Sequence, residues 1–253
     1  MRALRAELLK LSGIPSAWVA AVVGLVVPFA VAALNAGARS AGRAAGGSDP
    51  SGADAGFQEL AFGVIGVVVL GVVAASSEYF AEGGDSAGGR QITASLTAVP
   101  SRVGFLAAKA GALILAAAVL AALSTAATLT VSRVVPGELT APLTSADAPR
   151  VLGVVAYWVL TALLAHGLTL LTRGGVVPLV VLILNTSVVS VTYLLTRVTP
   201  LANYLPDLAG ARMFIRTFRS SVEIPPLAGG AVMAAWTLAL LGVAAAVFLR
   251  RDA

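Results

Sequence analysis

The sequence has no cysteine, one histidine and few charged residues. Without cysteine, neither disulfides nor thiolate metal sites can form. His166, as the single histidine, cannot supply a site built from several imidazoles within one chain. Charged residues make up 11% of the chain and hydrophobic residues 58%, whereas ordinary soluble domains contain about 25% charged residues. This composition argues against a soluble globular protein.

Several catalytic motifs are also missing from the sequence. It contains no GxxxxGK[ST] phosphate loop, no HExxH zinc motif and no GxSxG nucleophile elbow. The chain cannot therefore be, by itself, a familiar ATPase, zinc protease or hydrolase. We expect no enzymatic activity, no catalytic residue, no metal ligand and no cofactor bound by this chain.

What the sequence does contain is six long windows without Asp, Glu, Lys or Arg. About 20 apolar residues in a helix are enough to cross a bilayer. The windows predict an all-α integral membrane protein, with residues 1–253 forming a single transmembrane domain. The six predicted spans lie near residues 16–36, 60–77, 110–132, 151–172, 176–196 and 227–249.

The basic residues indicate an orientation for these spans. An even number of spans places both termini on one side of the membrane, and basic residues concentrate on the cytoplasmic side. Arg2, Arg5 and Lys10 precede the first span, and Arg250 and Arg251 follow the last. We therefore expect both termini to be cytoplasmic, although the total count of basic residues is nearly equal on the two sides.

Two segments outside the spans have the pattern of interfacial helices. Leu4, Leu8 and Leu11 form one helical stripe near the N-terminus. Before the last span, three arginines recur at helical spacing among apolar residues, which is typical of a basic helix lying in the headgroup region. An ordinary solvated loop is the alternative there. The three arginines are Arg212, Arg216 and Arg219.

The longest polar passage between spans, residues 78–102, divides into two parts. Its first part contains two glycine pairs, which disfavour a continuous helix. In the second part, Ile92, Leu96 and Val99 fall at i, i+4 and i+7, and Pro100 then ends any helix that includes them. The pattern predicts a short amphipathic helix, which needs a lipid or protein surface to be stable.

This passage resembles the membrane subunits of ABC-2 type ABC transporters. In that family a glutamate commonly closes the second span, and a pattern like TxxLxxxPSR precedes a basic residue at the head of the third. The resemblance also covers the six spans, the N-terminal amphipathic helix and the membrane-associated segment before the last span. The matching residues are Glu78, Thr93, Leu96, Pro100, Ser101, Arg102 and Lys109.

The resemblance implies that the short helix is a coupling helix, which sits in a cleft of a separate ATP-hydrolysing subunit. ATP and Mg²⁺ would bind that partner, and a second permease copy or a related permease would complete a dimer in the bacterial cell membrane. The implied function is export of a hydrophobic, amphipathic or drug-like substrate, with no nucleic-acid partner. The implied coupling residues are Glu78, Arg90, Ile92, Thr93, Leu96, Val99, Pro100 and Arg102.

Polar residues inside the predicted spans have two possible roles. His166, Asn185, Thr192 and Thr196 could line a pathway, or they could hydrogen-bond between packed helices. The sequence leaves both alternatives open.

A second function, from a different class, also fits the sequence. The chain could be a membrane anchor, or an immunity or assembly factor, that transports nothing and docks a cytoplasmic partner through residues 78–102.

Overall fold

The computed structural model describes residues 2–44, 54–79, 101–135, 143–186, 191–217 and 222–250. These residues form helices joined by turns, and no strand occurs among them. Short 3-10 helices occur at Glu59–Ala61, Ser145–Asp147 and Pro200–Tyr204. The α-helices are α1 (Arg2–Ser12), α2 (Pro15–Ala44), α3 (Val64–Ser76), α4 (Arg102–Val134), α5 (Ala148–Thr172), α6 (Val176–Thr186), α7 (Val191–Leu195), α8 (Pro206–Ala211) and α9 (Pro226–Arg250).

Five helical segments are long and apolar enough to cross a membrane: Pro15–Gly42, Glu59–Ser76, Arg102–Val134, Ser145–Thr172 and Pro226–Arg250. They correspond to the first, second, third, fourth and sixth predicted spans. The general prediction of an all-α, multi-pass membrane protein is therefore confirmed. A helix of 18 residues, the shortest of the five, already reaches close to 30 Å at about 1.5 Å per residue.

The prediction of six spans is wrong at the fifth, near residues 176–196. The helix in this region, α6, has 11 residues and is about 16 Å long at 1.5 Å per residue, roughly half the thickness of a bilayer core. A separate helix, α7, begins at Val191. The backbone N–H of Thr192 in α7 donates to the side-chain oxygen of Asn185 in α6, at 3.1 Å.

The bundle has two ends. We call them the Glu78 end, just after α3, and the Asp54 end, where the chain approaches α3. Glu78 follows α3 and contacts Lys10 and Lys109 near the starts of the chain and of α4. Phe248, near the end of α9, stacks on Phe105 at a centroid distance of 6.2 Å. The first and last described helices therefore both terminate at the Glu78 end, and the chain returns to the Asp54 end through α6, α7 and α8.

The predicted basic helix before the last span is also corrected. Helix α8 ends at Ala211, and residues 212–217 form turns and a bend. Arg212 is buried and donates to the side-chain oxygen of Asn203 at 3.1 Å. The backbone N–H of Arg216 donates to the Asp54 carboxylate, so it does not extend a helix. Arg219 lies outside the described residues.

Two other predicted helices have different outcomes. Residues Arg2–Ser12 do form the predicted N-terminal helix, and Leu11 on its apolar stripe is buried; its position at a membrane interface stays a prediction. The predicted coupling helix lies outside the described residues except at its end. There Ser101 caps α4 by accepting from the backbone N–H of Gly104 at 3.1 Å, and Arg102 is the first residue of α4.

Glycines allow a close helix crossing between α2 and α3. A Cβ atom built on Gly66 would lie 2.5 Å from the Cα of Gly24 and 2.6 Å from the carbonyl oxygen of Ala20. Both contacts are with backbone atoms, which cannot rotate away. The crossing lies beside a core that includes Trp158, Phe57 and Leu113, all fully buried.

Replacing Gly66 with alanine is expected to separate α2 from α3 and to destabilise the protein by about 1–3 kcal/mol, the usual cost of overpacking. Gly242→Ala is the matched control, because nothing lies within 4 Å of a Cβ at that position of α9. The control should leave the stability of the protein unchanged or raise it by up to about 1 kcal/mol, because alanine has a higher helix propensity than glycine. The thermal unfolding midpoint in detergent is measured for both variants. Equal midpoints for Gly66→Ala and Gly242→Ala would show that the crossing tolerates a methyl group.

Candidate functional site

A buried ion-pair cluster joins three helices at the Glu78 end. We call it the glutamate–lysine cluster, and it consists of Glu7, Lys10, Glu78 and Lys109. The Oε1 atom of Glu78 accepts hydrogen bonds from Nζ of Lys10 and from Nζ of Lys109, the latter at 2.9 Å. Lys109 also donates to Glu7 at 2.8 Å and to the carbonyl oxygen of Ala74 at 3.0 Å. The cluster therefore ties α1, α3 and α4 together.

The glutamate–lysine cluster is electrically balanced. The side chains of Glu78 and Lys109 are only 2% and 4% exposed. Burial would raise the pKa of Glu78, but the charges of Lys109 and Lys10 and their hydrogen bonds hold that pKa below its ordinary value. Glu78 is consequently ionised at neutral pH and is not a proton donor there. Removing one partner from a buried pair of this kind strongly destabilises a protein, because the other charge is left buried and unpaired.

The cavity beside this cluster is too small for a substrate. It has a volume of about 10 Å³ and is lined by Glu7, Lys10 and Lys109 together with apolar residues. Such a volume admits about one water molecule. The geometry therefore favours a mechanical junction between helices over a binding or catalytic site.

A second buried cluster lies at the Asp54 end. We call it the aspartate–arginine cluster, and it consists of Asp54, Asp147, Arg150 and Arg216. Asp54, at 0% exposure, accepts from the guanidinium of Arg150, from the backbone of Arg216 at 3.1 Å, and from the backbone and hydroxyl of Thr217 at 2.7 and 2.6 Å. These contacts fasten the segment after α8 to the chain that precedes α3.

Arg150 occupies the centre of the aspartate–arginine cluster. Its Nε donates to the carbonyl oxygen of Phe214 at 2.8 Å, its Nη1 lies 3.4 Å from Asp147, and its guanidinium lies 3.7 Å from the ring centroid of Phe57. Burial would raise the pKa of Asp54. Hydrogen bonds from Thr217 and Arg216 and the charge of Arg150 hold it below its ordinary value of 3.8.

The proposed pathway residues have separate local roles. The amide of Asn185 donates to Asp207 at 2.9 Å, and its oxygen accepts from the hydroxyl of Thr192 at 2.7 Å. Thr196 donates within its own turn, to the carbonyl of Tyr193 at 2.7 Å. His166 is 1% exposed, on the face of α5 that packs against α3 near Gly71. Asn185 of α6 therefore links Thr192 of α7 to Asp207 at the start of α8.

Sequence reasoning missed Asp207, the acidic partner in this group. Burial raises the pKa of Asp207, and hydrogen bonds that include those from Asn185 and Thr192 offset only part of the effect. A signal was present, because Asp207 is the only acidic residue between Asp147 and Glu223. Sequence reasoning likewise missed Asp54 and Arg150.

Of the predicted coupling residues, the structure describes Glu78 and Arg102. Both lie at the Glu78 end, where α3 finishes and α4 begins. Arg90, Ile92, Thr93, Leu96, Val99 and Pro100 lie outside the described residues. Within the described ranges, no group of three or more His, Asp or Glu side chains is placed to hold a metal ion.

Comparisons with protein families, with curated proteins and with solved structures found no match.

Proposed function

We propose that this chain is the membrane-spanning permease subunit of an ABC-type exporter, which moves a hydrophobic, amphipathic or drug-like substrate with energy from ATP hydrolysed on a separate subunit. The proposal places the protein in the bacterial cell membrane with both termini cytoplasmic. It also includes a second permease copy, or a related one, as a dimer partner, and ATP with Mg²⁺ on the ATPase.

The glutamate–lysine cluster is the observation that carries this proposal. Glu78 lies just before residues 80–100, and Lys109 lies shortly after them. Because these two side chains are paired and buried, the two helices that flank the polar segment are held together at the point where the segment leaves the bundle. A push on the segment would therefore move α3, α4 and α1 as one unit.

The five span-length helices and the amphipathic pattern of Ile92, Leu96 and Val99 support the same proposal. A subunit that receives energy from a partner needs an exposed docking element and a stiff connection to its spans. The sequence supplies the first as a short helix with one apolar edge, and the cluster supplies the second. The cavity of about 10 Å³ beside the cluster favours a role in coupling over a role in binding substrate.

The experiment first asks whether the adjacent reading frame encodes a soluble protein with a phosphate loop, and then co-purifies this chain with that protein, using Leu96→Glu. A carboxylate in the centre of the apolar edge should weaken the complex by tenfold or more, as is typical for a central interface residue, and should abolish the stimulation of ATP hydrolysis. The matched control is Ala94→Glu, because residue 94 lies on the opposite face of the predicted helix at about 100° per residue.

The outcomes distinguish the possible functions. If Leu96→Glu binds the ATPase and stimulates it like the unaltered chain, the coupling-helix assignment is wrong. If the complex depends on Leu96 but purified protein in vesicles never changes substrate distribution with ATP, the chain is a membrane anchor that docks a cytoplasmic partner.

A further inference from the structure

A wide cleft opens at the Asp54 end of the bundle. It has a volume of about 630 Å³, within the range of pockets that hold small molecules. Three stretches of chain form its walls: the start of α5, the turn that follows α8, and the segment that leads into α9. The cleft is partly open to its surroundings.

Charge on the walls of this cleft is mainly positive. Arg150, Arg212 and Arg216 line it, whereas Glu223 is the only acidic residue among the lining residues. Asp54 and Asp147, the carboxylates that pair with Arg150, are not part of the lining. Arg150 and Arg212 are buried and already bound to Asp54 and Asn203, so an anion in the cleft would meet the exposed guanidinium of Arg216, whose planar fork is well suited to phosphate and carboxylate groups.

Arg216 is the arginine best placed to reach a ligand. Its side chain is 55% exposed and contacts the carbonyl oxygen of Ala146 at 3.3 Å and a carboxylate oxygen of Asp147 at 3.8 Å. Its backbone, by contrast, is held by two contacts of 3.1 Å with the buried Asp54 carboxylate. The side chain is thus presented from a fixed backbone, which reduces the ordering cost of binding.

The rest of the lining is apolar. Met213 and Ile215 are partly buried in the wall, Pro225 and Pro226 are exposed next to α9, and Phe214 and Ile224 are buried behind them. A small soluble anion would leave these side chains without a partner. A molecule with an anionic head and an apolar body would cover both parts of the wall, and the cleft lies beside the ends of α5 and α9, where a spanning helix meets the lipid headgroups.

We propose that this cleft binds the anionic headgroup of an amphiphile, with the headgroup against Arg216 and the adjoining apolar part against Ile215 and Pro225. This site is independent of the proposed transport function. It lies at the opposite end of the bundle from the glutamate–lysine cluster, and it requires neither the ATPase nor residues 80–100.

The test is a titration of the full-length protein, purified in a neutral detergent, with fluorescently labelled phosphatidylglycerol. Unlabelled phosphatidylglycerol, phosphatidylcholine and inorganic phosphate serve as competitors. Phosphatidylglycerol should compete at least tenfold better than phosphatidylcholine, since a charged hydrogen bond is worth roughly a factor of ten or more in affinity. Inorganic phosphate should compete weakly, because it cannot contact the apolar wall.

Two variants of the cleft and one control complete the test. Arg216→Ala should weaken the binding of phosphatidylglycerol by roughly tenfold, and Glu223→Gln should strengthen it, because it removes the one carboxylate of the lining. Arg197→Ala, which removes an exposed arginine that packs against Tyr193 and does not line the cleft, should leave binding unchanged.

Three results would overturn the proposal. The first is equal competition by phosphatidylcholine, which would show that the anionic head is not recognised. The second is competition by inorganic phosphate as strong as that by phosphatidylglycerol, which would indicate a small-anion site. The third is an effect of Arg216→Ala no larger than that of Arg197→Ala, with Glu223→Gln also unchanged.

Discussion

Glu78→Ala is expected to destabilise the bundle by about 3–5 kcal/mol, the usual cost of removing one partner from a buried ion pair. The variant leaves the ammonium group of Lys109, in a side chain that is 4% exposed, with Glu7 as its remaining carboxylate. The measurement is the thermal unfolding midpoint in detergent, followed by tryptophan fluorescence. Glu223→Ala is the control, because that carboxylate is exposed and its loss should change stability by less than about 0.5 kcal/mol.

A double variant separates the charge effect from lost packing. Glu78→Gln combined with Lys109→Met removes both charges of the central pair, and apolar replacement of a buried pair is often neutral. The double variant should therefore be more stable than Glu78→Gln alone. If it is equally unstable or worse, the cluster contributes through shape and not through charge pairing.

Asp54→Asn is expected to cost roughly 3 kcal/mol at about pH 7, because Arg150 would lose its closest carboxylate and Asp147, at 3.4 Å, would be the one left. The aspartate also accepts from the backbone N–H groups of Arg216 and Thr217. An amide oxygen can replace only some of these bonds. Asp147→Asn, at a carboxylate that is 16% exposed, should cost less.

The same variant should change the pH dependence of stability. The pKa of Asp54 is lowered in the folded protein from an ordinary value of 3.8, so the folded state binds the proton less readily than the unfolded chain. The contribution of the Asp54 carboxylate to the free energy of unfolding is fully present above pH 3.8. It is lost as pH falls through the pKa of Asp54 in the folded protein. The difference in unfolding midpoint between unaltered protein and Asp54→Asn should therefore narrow below that pH. A constant difference would contradict the lowered pKa.

The sequence was sufficient to predict most of the helical architecture. Each of the five span-length helices coincides with a window that lacks charge, because the cost of burying charge in lipid excludes Asp, Glu, Lys and Arg from such windows. The same criterion fails at residues 176–196. Absence of charge does not report how long a helix is, and α6 has 11 residues, too few to cross a bilayer core at about 1.5 Å per residue.

The buried clusters were much harder to predict. Glu78 and Lys109 were singled out only through a family resemblance. The residues of α1 that pair with them were not identified as partners. Asp54 and Arg150 are 96 residues apart, and periodicity within one element carries no information about such a pair. Asp54 also follows a segment rich in glycine, alanine and serine, a composition typical of a linker, so nothing local marked it as buried.

The turn between α5 and α6 bears on how the chain enters the membrane. Arg173, with φ 53°, and the two glycines that follow it connect the helices directly. Since α6 has only 11 residues, it is too short to insert by itself and must partition together with α5 as a helical hairpin. Its partner Asp207 follows Asn185 in the chain, so the hydrogen bond between them can form only after the start of α8 has been synthesised.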